Sequence, residues 1–324
     1  MAKRKKRKTG RKNTGRKHKS FGQIVLLCIV GVVLYLIPHF HSERDYYAGV
    51  EEASGAELKT ALHNTIRQHT VLDFDGSSSA RYWWNNYFDM TDRDGDGYFI
   101  DMYSSEKWKS YIGGSVQARE HCMPRSWWAT KEEYSRKDAN GDLHNLFPSD
   151  YAANSAKSNL PLGEVGISRF DNGVSKVGRN AYPGGYAGNV FEPADEYKGD
   201  FARVYFYMVT CYEDYSDDWR SHATQTMLKN GKYPAFQPWA LDMLLKWHIN
   251  DPVSEKEKKR NEAVYTIQGN RNPFVDDPAL VGAIWGDGNR KPITLSQPVS
   301  KDIKGIAEIF AFYQEIIGRI GESN

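Results

Sequence analysis

At 324 residues, with 40% apolar and 13% aromatic side chains, the chain carries enough apolar area for a packed core, which excludes disorder for most of its length. The formal charge of +2 misleads: eleven of the 43 Lys and Arg lie in residues 1–20 without any acid, so the remainder holds 32 bases against 41 acids. Three cysteines are too few for a disulfide framework, and no Cys-x-x-Cys pair offers a structural zinc site.

Residues 1–20 read as a basic, disordered cytoplasmic tail. Phe21 to Pro38 (FGQIVLLCIVGVVLYLIP) is apolar except for Gln23 and Tyr35, and residues 21–40 read as a single membrane-spanning or signal helix. Its strictly apolar part is shorter than the roughly 20 residues that span a bilayer comfortably. No good small-x-small cleavage site follows, which favours an uncleaved anchor touching the membrane through residues 21–38; a cleaved signal peptide is the alternative. The positive-inside rule keeps the basic block in the cytoplasm and sends the rest across. The expected location is therefore exported: membrane-anchored with an extracytoplasmic body, or secreted or periplasmic after cleavage.

Gly55 to Ile66 has helical spacing with Leu58, Ala61, Leu62 and Ile66 on one face and Ser54 as a candidate cap. Arg81 to Met90 is aromatic-rich and reads as helical. Asp92 to Gly97 resembles the start of a calcium loop, but Tyr103 stands where the loop needs a bidentate Glu, so a turn of solvated acids competes with a structural Ca²⁺ site. Tyr98 to Tyr103 reads as a short strand.

Val116 to Met123 reads as a strand that presents Glu120 and His121 near its end, before Pro124. Glu120 is able to hold a divalent cation and His121 to take a proton near neutral pH. Neighbours on a strand face opposite ways, so the two converge only where the strand ends or bulges. Leu143 to Phe147 reads as a second strand. Pro148-Ser149-Asp150 then starts a helix, with Ser149 the candidate cap and Asn154 about one turn inside. Cys122 and Cys211 are either bridged or two buried thiols.

Gly163 to Gly188 reads as loops and turns, where Arg169, Lys176 and Arg179 either line a phosphate groove or are plain solvated charges. Asp200 to Tyr212 reads as a core helix with Arg203 as a supporting residue. Pro238 to Asn250 and Glu255 to Gln268 read as helices, the second capped by Ser254 and ended by Gly269. Arg260, Asn261 and Arg271 either face nucleic acid or belong to a mostly structural region. Residues 287–324 read as a linker and a C-terminal amphipathic helix striped by Ile303, Ile306, Phe310, Tyr313, Ile317 and Ile320.

Three separated strings carry a resemblance. They are Arg119-Glu120-His121-x-x-Pro124-x-Ser126-Trp127; Asp142-Leu143-His144-Asn145-Leu146-x-Pro148 with Asn154; and, downstream, Phe191-Glu192-Pro193 through Arg203 and Gln268 to Phe274. In order and spacing, over roughly residues 45–286, they resemble the bacterial endonuclease I family, secreted or periplasmic nucleases with a ββα-metal (His-Me finger) fold. The resemblance implies an α+β, mostly helical catalytic domain over residues 45–286, built around that ββα-metal motif. It assigns Glu120 as the metal-binding carboxylate, His121 as the general base and Asn154 as the second metal ligand, with His144 and Asn145 shaping the hairpin. It also implies Mg²⁺, with Ca²⁺ or Mn²⁺ as alternatives. The implied activity is a sugar-nonspecific endonuclease cutting DNA, with RNA as a further substrate. An exported ribonuclease restricted to RNA, or a non-catalytic membrane-anchored nucleic-acid-binding or uptake protein, are the alternatives. Arg119, Arg125, Arg169 and Arg179 are candidates for the transition-state arginine, Arg119 being placed with the catalytic pair.

Overall fold

Residues 46–50, 53–74, 86–110, 115–134 and 137–286 are described by the computed structural model. Expectations for the basic tail, the apolar segment at 21–40, residues 81–85 and the C-terminal helix lie outside the described residues. Among the described residues no helix is long and apolar enough to cross a membrane. The chain divides between Tyr46 and Tyr47, and every element below belongs to the second unit.

The first helix, α1 (Gly55–Ile66), buries Leu58, Leu62 and Ile66 at four-residue spacing; Ser54 precedes it in extended conformation without a side-chain cap bond. Lys59 is also buried, which its 2.9 Å ion pair with Glu213 makes tolerable. Strand β1 (Gln117–His121) pairs antiparallel with β2 (Leu146–Asp150), Glu120 opposite Phe147 and His121 opposite Leu146. The second strand starts three residues later than its apolar run predicts. Asp142 and Asn145 hold residues 142–145 as a turn: the Asp142 carboxylate accepts from the His144 N–H at 2.8 Å, and its carbonyl accepts from the Asn145 N–H at 3.0 Å.

Pro148 lies inside β2 opposite Arg119 rather than at a helix start, which a two-stranded ribbon with two edges permits. The cap of α2 (Tyr151–Lys157) is Asp150, whose carboxylate accepts from the Ala153 N–H; Ser149 is buried in the strand.

Residues 163–188, read as loops, instead hold most of a three-stranded antiparallel sheet: β3 (Val165–Asp171), β4 (Lys176–Asn180) and β5 (Asn189–Glu192), in the order β3-β4-β5. Their Gly, Asn and Ser content hid the strands, and so did the exposure of most of β3. Gly178 is required there, since a Cβ would meet the Ile167 carbonyl oxygen at 2.1 Å.

Behind the hairpin lies α3 (Lys198–Cys211), buried from Gly199 to Cys211. A short α4 (Ser221–Thr226) leads to α5 (Pro238–Asn250), which packs on α3. In α6 (Glu255–Gln268) Ser254 and Glu257 form a reciprocal capping box, and Gly269 ends the helix in left-handed conformation at φ +85°. The short α7 (Pro273–Asp276) and α8 (Ala279–Trp285) bring Phe274 and Trp285 against Phe206 of α3. The architecture is thus mixed, helices around two small antiparallel sheets.

Several sequence expectations change. Tyr98 to Tyr103 forms no strand beyond a single bridge between Arg93 and Phe99. Asp92 is not available to calcium: it is buried and its carboxylate takes Arg260 Nε at 2.8 Å and the Thr91 hydroxyl. Asp94 caps its own turn through the amides of Asp96 and Tyr98. Arg260, Asn261 and Arg271 do not face a substrate; all three are buried on internal partners. Cys122 and Cys211 are separate buried thiols.

Arg260 also donates to the Leu146 carbonyl at 2.6 Å, so it ties α6 to the first residue of β2. Arg260→Ala leaves a buried carboxylate unpaired, and urea unfolding is expected to register a loss of about 3–5 kcal/mol. A loss below about 1 kcal/mol would mean that the pair does not brace the hairpin.

Candidate active site

Glu120 and His121 leave β1 on opposite sides, as strand geometry requires, and each meets a different wall. On one side, α2 packs on both strands of the hairpin and brings the ammonium of fully buried Lys157 to 2.6 Å from Glu120 Oε1. The same ammonium donates to the His121 carbonyl at 3.2 Å. Burial raises the Glu120 carboxyl above its ordinary range, and Lys157 and Arg125 oppose that rise.

Asn154 precedes Lys157 by three residues and so shares its helix face, which turns toward β1. Neither Glu120 Oε2 nor the Asn154 side-chain amide makes a hydrogen bond among the described residues. One anionic and one amide oxygen suit a hard cation that keeps most of its octahedral positions for water. The donor set therefore fits the divalent ion that the sequence implies.

On the other side, His121 Nε2 lies 2.9 Å from the Asn140 carbonyl oxygen. A carbonyl only accepts, so Nε2 carries the proton and the lone pair of the neutral ring sits on Nδ1. Phe74 packs on the imidazole with ring centroids 4.8 Å apart, and Trp128 meets it edge-on at 6.1 Å. Burial holds the His121 pKa well below its ordinary 6.5, with the positive charges of Arg125, Lys157 and Arg119 adding to the effect. His121 is accordingly neutral, and a proton acceptor, throughout the neutral range.

The two arginines of this wall differ in task. Arg119 donates to the Phe74 carbonyl at 2.9 Å and lies over the Phe74 ring, so it fixes the surface on which His121 rests. Arg125 lies over the rings of Phe74 and Tyr134 and donates to the Asn140 side chain at 3.4 Å.

The expected supporting residues sit further back. Asn145 clamps the end of the hairpin: its side chain accepts from the Met123 N–H at 2.7 Å and donates to the Met123 carbonyl at 3.0 Å. His144 packs on Tyr207 and bonds the Asn270 carbonyl through Nε2, and burial lowers its pKa to about 4. Arg203 pairs with Glu257 and donates to the Asp251 carbonyl, inside the helical layer, and none of its bonds reaches Glu120, His121 or Asn154. Arg169, Lys176 and Arg179 are exposed on β3 and β4, and none of them bonds to that group.

Sequence reasoning missed Lys157, Asn140 and the role of Asp142. Lys157 left one signal, its three-residue spacing from Asn154. A second donor cluster, His69, Asp142 and Cys211, brings its ligand atoms within 4.8 Å of one another. It does not suit a metal. The Asp142 carboxylate is saturated by Tyr207, Tyr212, Gln268 and the His144 amide at 2.7–2.8 Å, and burial keeps the Cys211 thiol protonated.

The relatives of this chain make it a hydrolytic nuclease. The chain matches the Endonuclease I family profile over residues 54–279 and belongs to that family. It is 38% identical over 248 residues to an extracellular ribonuclease of Bacillus amyloliquefaciens, covering 74% of this chain and 78% of that protein. An extracellular ribonuclease of Bacillus subtilis (strain 168) is 35% identical over the same length and shares. An Endonuclease-1 of Buchnera aphidicola subsp. Acyrthosiphon pisum is 28% identical over 157 residues, 48% of this chain and 50% of that protein.

The buried histidines make stability depend on acidity in a defined direction. Both are held neutral in the fold, so below about pH 6.5 the unfolded chain binds protons that the fold refuses, and stability falls as pH falls, through about 4 for His144. Imidazole ¹⁵N NMR is expected to find His121 neutral and protonated on Nε2 at a pH of about 6; a ring titrating at or above about 6.5 would contradict its enclosure.

Proposed function

We propose that the chain is an exported, metal-dependent endonuclease that hydrolyses phosphodiester bonds of RNA and DNA, with residues 45–286 as the catalytic domain. One observation carries the reading. At the end of β1, His121 is tied through Nε2 to the Asn140 carbonyl and keeps Nδ1 as a base, while Glu120 leaves the same strand end with Oε2 unspent.

In this reading His121 Nδ1 takes the proton of a water molecule as its oxygen attacks phosphorus, in line with the departing 3′-oxygen, which takes a proton from solvent. The Asn140 carbonyl keeps the ring oriented and stabilises the imidazolium that forms. General-base action of this kind is worth about 10²–10⁴-fold. Glu120 and Asn154 would hold one divalent cation, Mg²⁺ with Ca²⁺ or Mn²⁺ as alternatives, which would supply Lewis acidity to the reaction. Lys157 opposes the rise that burial imposes on the Glu120 carboxyl and aims the group through its 2.6 Å bond. Arg119 and Arg125, both packed on Phe74 in the wall that carries His121, are the candidates for transition-state charge.

Export is supported by the relatives named extracellular ribonuclease and by the basic block and apolar run at the N-terminus; anchoring through residues 21–38 belongs to this proposal, with cleavage as its alternative. The same names favour RNA among the substrates, and the Endonuclease-1 relatives keep DNA in the proposal.

His121→Ala is expected to slow cleavage of RNA and of supercoiled DNA by roughly 10²–10⁴-fold while oligonucleotide binding persists. Cutting at the unaltered rate would remove His121 as the base. Chelator is expected to abolish activity, and Asn154→Ala to raise the Mg²⁺ concentration needed for half-maximal rate; an unchanged metal requirement removes Asn154 as a ligand. Because the base must be neutral and its pKa is depressed, the rate is expected to hold as pH falls through about 6.5 and to fail only below it. An acid limb centred at or above that value would speak against His121.

A further inference from the structure

The folded part is acidic, with 32 bases against 41 acids after residue 20, so a polyanion needs a local cationic track to reach the hairpin. A groove of about 530 Å³ runs between the 93–107 segment, Tyr197 and the first turns of α6. Half-buried Tyr98 lies in its wall, with Lys107 Nζ 5.6 Å and Lys109 Nζ 4.6 Å from the ring centroid. Tyr197 stands in the same groove with Lys256 Nζ 4.5 Å from its ring, and Lys259 lies one residue before buried Arg260.

Lys107, Lys109 and Lys259 are exposed and enter no ion pair among the described residues. Two acids of the wall are held by local bonds: Asp94 accepts from two amides of its own turn, and buried Asp101 accepts from Ser104 and the amides of Tyr103 and Asp150. Glu106 and Glu196 line the groove as well, with Arg93, Lys107, Lys256 and Lys259, and Lys109 joins them through its contact with the Tyr98 ring.

The groove is joined to the hairpin's helix. Asp101 Oδ2 accepts from the Asp150 N–H at 2.8 Å, and Asp150 caps α2. Asn154 follows four residues later, about 6 Å along the helix axis.

We propose that this groove binds an unpaired stretch of the nucleic-acid strand next to the scissile phosphate, with a base stacked on Tyr98 and phosphates on Lys107, Lys109 and Lys259. The proposal rests on the nuclease reading above. The volume suits a nucleotide. Aromatic platforms interleaved with lysines hold single strands with little sequence preference, because every base has a π-face. Bases in a duplex are stacked on one another and cannot offer that face, so the groove selects unpaired substrate.

The test uses the full chain with Tyr98→Ala, Tyr98→Phe and a Lys107→Ala/Lys109→Ala pair. KM and kcat are measured on an unpaired oligonucleotide and on its duplex, and binding of the unpaired oligonucleotide is followed against salt. Tyr98→Ala is expected to raise KM on the unpaired strand on the order of tenfold with kcat unchanged and duplex cleavage unaffected, and Tyr98→Phe to restore it. The lysine pair is expected to flatten the slope of log K against log salt by about 1.4. Unchanged KM and slope, or equal losses on both substrates, overturn the groove. If the unaltered chain cuts nothing, the nuclease reading fails by itself, and the binding arm still decides whether Tyr98 and the lysines hold the strand.

Discussion

Consecutive residues of a strand leave it on opposite sides, and everything at this site depends on how the hairpin uses that constraint. Glu120 turns toward α2 and His121 toward the turn at Asn140, so the end of β1 carries a carboxylate on one wall and an imidazole on the other. A slip of one residue in the pairing would exchange the two faces. The register is held at its loop end by Asn145, whose amide closes two bonds with the backbone of Met123, while the Asn145 carbonyl takes the Cys122 N–H at 2.9 Å.

The helical layer makes that hairpin rigid through buried polar contacts. Tyr207 at the middle of α3 and Tyr212 just past its end both donate to Asp142, and Asp142 in turn holds the turn that leads into β2. Arg260 of α6 reaches the Leu146 carbonyl at the start of the same strand. Such groups are costly to bury unless they are paired, so each one restricts the positions the hairpin is able to take. Lys157 follows the same rule: its charge is tolerable inside because Glu120 and the His121 carbonyl receive it.

Helices were the most legible part of the chain. Ser254 with Glu257, Gly269, and the spacing of apolar residues in 55–66 and 238–250 are local signals, and the local structure follows them. The β3-β4-β5 sheet was not legible, because its strands are short and Gly-rich and β3 lies largely in solvent, leaving no period-two pattern to detect. The calcium reading of Asp92 failed for a related reason: an acid in a turn looks solvated in one dimension, and its partner Arg260 lies 168 residues away.

The sequence by itself determined the helices at 55–66, 200–211, 238–250 and 255–268, the family and the adjacency of Glu120 and His121, since caps, spacing and motif strings are properties of neighbouring residues. Only the tertiary structure decided which imidazole nitrogen is left as a base, that Lys157 is the countercharge of Glu120, and that Arg203, Arg260 and Arg271 serve the core rather than a substrate. A hydrogen-bond partner or a loss of solvent comes from residues far apart in the chain, so nothing local to His121 or Lys157 records it.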